Sequence, residues 1–128
     1  MTIQFNHTLI HAHDKEKSAA FLTEILGLPP ARAWGPFMAV ELDNGVSLDF
    51  VDAGGMEFDT QHYAFLIDEP DFDAVFARIQ GRGLSYWADP FKRKPGEINR
   101  HDGGRGVYFD DPDGHLLEVL TRPYGETR

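Results

Sequence analysis

The chain has no cysteine among its 128 residues. Disulfides, thiolate zinc sites, iron–sulfur clusters and a cysteine nucleophile are thereby excluded together, and any metal must be held by His, Asp or Glu. Long apolar runs are missing as well. No stretch approaches the ~20 residues of a membrane span, and the opening MTIQFNHTLI has neither the basic start nor the apolar core of a signal peptide. A cytoplasmic protein with no membrane partner is expected. Positive charge is scarce, and the formal net charge of −9 argues against tracking nucleic acid or lying on an anionic surface. The local exception is Lys92, Arg93 and Lys94, followed by Arg100 and Arg105, which suits either an anionic substrate or an ordinary solvated loop. G-x-S-x-G, P-loop and G-x-G-x-x-G patterns are also absent, so serine-hydrolase, NTPase and dinucleotide readings lack support.

What is present describes a folded domain. The apolar share of 41%, with ten Phe and two Trp, fits one globular domain spanning residues 1–128. Ile3 to Ala12 reads as a strand on which Phe5, His7, Leu9 and His11 share a face, placing His7 mid-strand. Asp14 to Leu26 reads as a helix capped by Asp14 and ended by Gly27. Phe37–Leu42 and Val46–Val51 flank Asp43-Asn44-Gly45, a hairpin signal. After a Gly- and Asp-containing linker at residues 52–60 the order resumes: a strand from His62 to Ile67, a helix opened by Glu69-Pro70, and a strand from Leu84 to Ala88. A polar loop from Asp89 to Arg105 then leads to a final hairpin around Pro112-Asp113-Gly114.

The repetition is numerical as well as qualitative. Gly45 and Gly114 stand 69 residues apart, and so do the acids Asp49 and Glu118, each four residues past its turn glycine. His7 and His62 stand 55 apart, the difference being taken up by the long second loop. The expected fold class is therefore α+β, built from two βαβββ modules at about residues 3–51 and 62–121. Each module contributes one His and one carboxylate. Either acid alone reads as an outward-facing or salt-bridged strand residue, since a buried unpaired carboxylate is costly. Their matched placement with His7 and His62 instead points to a divalent metal held by His7, His62, Glu118 and Asp49. In the long loop, His101 lies beside Arg100 and Arg105, where it could reach over a pocket mouth as an acid or base.

These residues resemble the vicinal oxygen chelate superfamily, which includes glyoxalase I, fosfomycin-resistance thiol transferases, extradiol dioxygenases and bleomycin-resistance proteins. The carriers are FNHTLIH, VSLDFV, TQHYAFLID and VYFDDPDGHLLEVLTRPYG. The resemblance implies metal ligands at His7, His62 and Glu118, with a fourth acid at the position of Asp49. It also implies a cupped mixed sheet, a homodimer, and a Lewis-acid ion (Fe, Mn, Ni, Co or Zn) that chelates vicinal oxygens of a small-molecule substrate. Leu9 stands near where fosfomycin-type members carry threonine, and His11 where glyoxalase I-like members carry arginine. His101, Arg105 and Tyr124 are the catalytic candidates on an enzyme reading. The alternative is a binding protein without catalysis, which sequesters a planar drug in a dimer cleft lined by aromatics such as Trp34, Phe37, Tyr63, Trp87 and Tyr108.

Overall fold

Asp14 begins the first helix as the spacing predicts: its carboxylate accepts from the backbone N–H of Glu16 and Lys17, and Gly27 ends it at φ 72°. A computed structural model describes residues 2–125 and divides the chain into two compact units, Met1–Asp59 and Thr60–Arg128. The first contains β1 (His7–Ala12), α1 (Lys15–Leu26), β2 (Arg32–Trp34), β3 (Phe37–Glu41) and β4 (Ser47–Asp52). The second contains β5 (His62–Leu66), α2 (Glu69–Gly81), β6 (Tyr86–Trp87), β7 (Gly106–Asp110) and β8 (Leu116–Leu120).

Each unit forms a four-stranded mixed sheet with one wiring. The strand orders are β1-β4-β3-β2 and β5-β8-β7-β6, with the first and last strands of each unit parallel and the remaining neighbours antiparallel. The α+β class and the two βαβββ modules are as the sequence led us to expect. Period-two alternation sends Ile10, Ala12, Val40, Leu48 and Phe50 into the first core, which α1 closes with Ala19, Leu22 and Ile25. The second core takes Phe65, Val107, Phe109, Leu117 and Val119 with Phe72, Val75 and Ile79 of α2. Full burial of each such side chain contributes roughly 1.5–3 kcal/mol. No helix among the described residues is long and apolar enough to cross a membrane.

Three details differ from the sequence reading. β1 begins at His7 rather than Ile3, because its neighbour in the sheet, β4, begins at Ser47 directly opposite His7, leaving residues 3–5 without a strand partner among the described residues. His7 therefore heads the strand. The edge strand β2 has three exposed residues and no alternation to betray it. β6 shrinks to two residues because the end of α2 claims the preceding segment: Leu84 N–H bonds Ile79 O, and Gly83, at φ 66°, turns the chain.

The long loop of the second unit is pinned at several points. Asp89 accepts from the backbone N–H of Phe91, Arg93 and Lys94. Asn99, buried, bridges to Gly106 and donates to Ala88 O at 2.9 Å. Gly106 is required there, since a Cβ would come within 2.9 Å of Asn99 Oδ1.

Candidate metal centre

The registers place corresponding residues at corresponding points of the two sheets. In the first unit Leu9, Asp49, Ala39 and Arg32 form one row across the strands. In the second the same row is Ala64, Glu118, Tyr108 and Trp87. His7 lies opposite Ser47, and His62 lies opposite Leu116. The two His and two acids of the sequence are thus equivalent in pairs.

Glu118 is 1% exposed in the middle of an apolar strand. A carboxylate so placed costs several kcal/mol unless its oxygens are engaged. Both are: Oε1 faces His62 Nε2 at 3.1 Å, and Oε2 accepts the phenol proton of Tyr124. Tyr124 has one proton, so the contact of 2.9 Å between the two phenol oxygens is a donation from Tyr108. Partial burial and the bond to Glu118 hold the Tyr124 phenol far above the ordinary tyrosine range, and burial raises that of Tyr108 too. Both therefore act as neutral donors near neutral pH. The Tyr108 ring also stacks on His62 at 5.8 Å, and the His101 ring meets Tyr124 edge-on at 6.2 Å.

The tautomer of His62 follows from its other nitrogen. Nδ1 lies 2.9 Å from Leu116 O, and a carbonyl only accepts, so Nδ1 carries the proton. In a neutral ring Nε2 is then a bare lone pair aimed at a carboxylate oxygen. Two acceptors at 3.1 Å repel unless a proton or a cation stands with them. This donor set, one imidazole lone pair and one carboxylate oxygen, fits a divalent ion of the borderline class. His7 has the same character: its Nδ1 donates to Asn6 Oδ1 at 2.7 Å, which leaves Nε2 for a ligand.

A second group in this unit brings ligand atoms together, those of Asp111, Asp113 and His115 lying within 4.8 Å of one another. It is built as a turn. Asp111 Oδ1 accepts from the N–H of Asp113 and of His115, tying the Pro112-Asp113-Gly114 corner. His115 Nδ1 accepts the N–H of Gln61 at 2.9 Å, so the proton of the neutral ring sits on Nε2 and neither nitrogen keeps a lone pair for a metal. Burial, moreover, raises the Asp111 carboxyl above its ordinary range.

The second unit thus gathers His62, Glu118, Tyr124 and the ring of His101. Arg105 is held elsewhere. Its guanidinium pairs with Glu69 and Asp73 of α2, at 2.9 Å each, and lies over the Phe72 ring at 4.4 Å. In the first unit, Asp49 is 9% exposed and accepts from Ser47 Oγ at 2.6 Å. Tyr63 is not on the face of His62: it alternates to the other side of β5 and meets His115 edge-on at 5.9 Å. Trp34 stacks on Phe37 at 5.9 Å and stays exposed, while Trp87 lies under Lys92, whose ammonium pairs with Asp110. Tyr108, read from sequence only as a cleft aromatic, is the residue whose role was missed. Tyr108 and Glu118 lie symmetrically about the turn residue Asp113, and that symmetry was the available signal.

The model of the Glyoxalase/Bleomycin resistance protein/Dioxygenase superfamily matches residues 4–119. Among solved structures, Oxidase ChaP-H2 is 61% identical, with 98% of each chain covered and a TM-score of 0.94. Oxidase ChaP-H1 is 57% identical, covering 97% of this chain and 99% of its own, with a TM-score of 0.94. Glutathione transferase FosA of Serratia marcescens is 33% identical over 125 residues, which is 93% of this chain and 81% of that protein. Relatives so named favour an enzyme over a binding protein without catalysis.

Proposed function

The chain belongs to the Glyoxalase/Bleomycin resistance protein/Dioxygenase superfamily, and from that premise we propose that it is a divalent-metal-dependent oxidase of a small, planar, oxygen-bearing molecule. The observation that carries the metal is the lone pair of His62 Nε2 held against Glu118 Oε1 by the bond from Nδ1 to Leu116 O. His62 and Glu118 are two ligands on this reading. The third is His7, assigned by the family resemblance and supported by its own Nδ1–H tautomer. Asp49 is kept outside the proposed set, with one of its oxygens, Oδ1, engaged by Ser47.

When bound, the ion supplies Lewis acidity and holds two neighbouring oxygens of the substrate. The protein's own groups do the rest. Leu116 O fixes the His62 ring, Tyr124 holds Glu118 Oε2, and the buried Tyr108, in the same sheet row as Glu118, backs the His62 ring by stacking on it. His101, exposed against the Tyr124 ring, is proposed to take up or return a substrate proton. Arg105 drops out of the catalytic set, since Glu69 and Asp73 occupy its guanidinium.

The oxidase reading is preferred to a thiol transferase on two grounds. Identity to the ChaP oxidases is nearly twice that to FosA. Leu9, on the same strand face as His7, also lacks the hydroxyl expected near that position of a fosfomycin-type protein. The two units are proposed to work as one domain, in a cytoplasmic homodimer for which Trp34 on the edge strand β2 offers exposed apolar surface. The test is elemental analysis of anaerobically prepared protein, followed by oxygen uptake and thiol consumption with the metal-loaded form and a panel of planar phenols and quinones. Stoichiometric metal with substrate-dependent oxygen uptake supports the reading. Thiol consumption without oxygen uptake would move it to the transferase class, and no metal after reconstitution would overturn it.

A further inference from the structure

We propose that Tyr108 is a positioning residue for the metal ligand Glu118, acting through Tyr124: the donation from Tyr108 to Tyr124 to Oε2 fixes the carboxylate so that only Oε1 is presented beside His62 Nε2. The inference rests on the metal reading above and adds to it the carboxylate's mode of binding and the side chain that sets it.

A glutamate has two equivalent oxygens and three rotatable side-chain bonds, so a strand position alone does not decide whether it meets an ion through one oxygen or two. Here the oxygens are made unequal. Oε2 is consumed by the Tyr124 hydroxyl, and Oε1 is left against the histidine. Tyr124 cannot do this unaided, because it is half exposed and comes from the segment after β8. Its own hydroxyl oxygen would otherwise be open to water. Tyr108, buried on β7 and paired in register with Glu118, donates to that oxygen and leaves the Tyr124 proton directed at Oε2. Chained hydrogen bonds of this kind polarise and strengthen one another. Gly125 N–H on Asp102 and the His101 ring against Tyr124 hold the segment from its other side.

The replacement Tyr108→Phe keeps the ring that stacks on His62 and removes only the hydroxyl, so it isolates the chain. The experiment compares wild type, Tyr108→Phe, Tyr124→Phe and the double variant by two readouts: Mn²⁺ dissociation constants from chelator competition, and urea unfolding of the metal-free proteins. Partners that orient a ligand are worth about 10–100-fold in metal affinity. Tyr124→Phe is expected to weaken Mn²⁺ binding about tenfold, and Tyr108→Phe, one bond further out, about threefold. The decisive outcome is non-additivity: Tyr108→Phe weakens Mn²⁺ binding and destabilises the fold only while Tyr124 keeps its hydroxyl, and in the Tyr124→Phe background, where the buried Tyr108 hydroxyl has lost its acceptor, it no longer destabilises. The Co²⁺-substituted Tyr108→Phe protein should also show an altered visible ligand-field spectrum, which a loss of packing elsewhere would not cause. Equal effects of Tyr108→Phe in both backgrounds, or no effect in either, would overturn the proposal. Failure of wild type itself to bind Mn²⁺ would instead overturn the metal reading, while the unfolding cycle would still decide whether the chain exists.

Discussion

The two units are one design carried to different ends. Both run strand, helix, three strands, with one sheet order and one register, and both place a histidine at the head of the first strand and an acid in the middle of the last. The rows around the acids then diverge. In the first unit the neighbours of Asp49 are Leu9 and Ala39, and Ser47, two residues away, donates to its Oδ1. In the second, Tyr108 occupies the position of Ala39, Leu116 that of Ser47, and Tyr124 arrives from beyond β8. The lesson is that equivalent carboxylates of a repeat meet different partners: Asp49 Oδ1 meets a hydroxyl two residues along, whereas Glu118 Oε1 meets a histidine nitrogen and Oε2 a phenol.

The largest way to break the comparison is at the histidine. His62→Ala is expected to weaken divalent metal binding by more than about 100-fold, since a ligand is lost where even supporting residues cost 10–100-fold. The control is Asp49→Asn, which should leave the metal dissociation constant within about twofold, because conserving the Ser47 hydrogen bond changes no proposed ligand. A large loss of affinity in Asp49→Asn would make the first unit's acid a ligand after all. Next in size is Ser47→Ala, which leaves a nearly buried carboxylate without its hydroxyl donor and should cost about 1–3 kcal/mol in urea unfolding of the metal-free protein, with no change in metal affinity.

Light scattering tests the proposed dimer: wild type is expected to dimerise and Trp34→Glu to raise the dissociation constant, while a wild-type monomer would remove the dimer and an unchanged dimer in the variant would remove β2 from its interface. The smallest effect is expected at Arg105. The Glu69 carboxyl is held below its ordinary range by a hydrogen bond with Thr121 and by Arg105. A depressed carboxyl contributes stability above its unfolded pKa and loses it as pH falls through the folded value. Arg105→Met should therefore lower the melting temperature slightly near neutral pH and make no difference in strong acid, with metal affinity unchanged. Loss of activity in a stable Arg105→Met protein would return this residue to the catalytic set.

Much of this was legible in the chain because it rests on spacing. The 69-residue interval between Asp49 and Glu118 is a register, and the structure shows the two acids in equivalent rows. The start of the first helix was readable because Asp14 caps by its own chemistry, and that of the second from Glu69-Pro70, while its Asp68 cap emerges only in the structure. β2 was not, since three exposed residues on an edge leave no alternation. The long loop reads from composition only as a polar segment, and the hydrogen bonds by which Asp89 and Asn99 fasten it are not visible there. His62 and His115 make the same point within one unit. Their Nδ1 partners, a carbonyl for His62 and an N–H for His115, give the physical reason that one ring has a lone pair to offer and the other does not.

That distinction is also where the central claim is tested most directly. Crystals grown with Mn²⁺ and measured at a wavelength with strong manganese anomalous scattering would locate the ion without any assumption about substrate. The expected result is one strong peak between His62 Nε2 and Glu118 Oε1. A peak at Asp111, Asp113 and His115, or none beside Glu118 in crystals of protein that binds Mn²⁺ in solution, would contradict it.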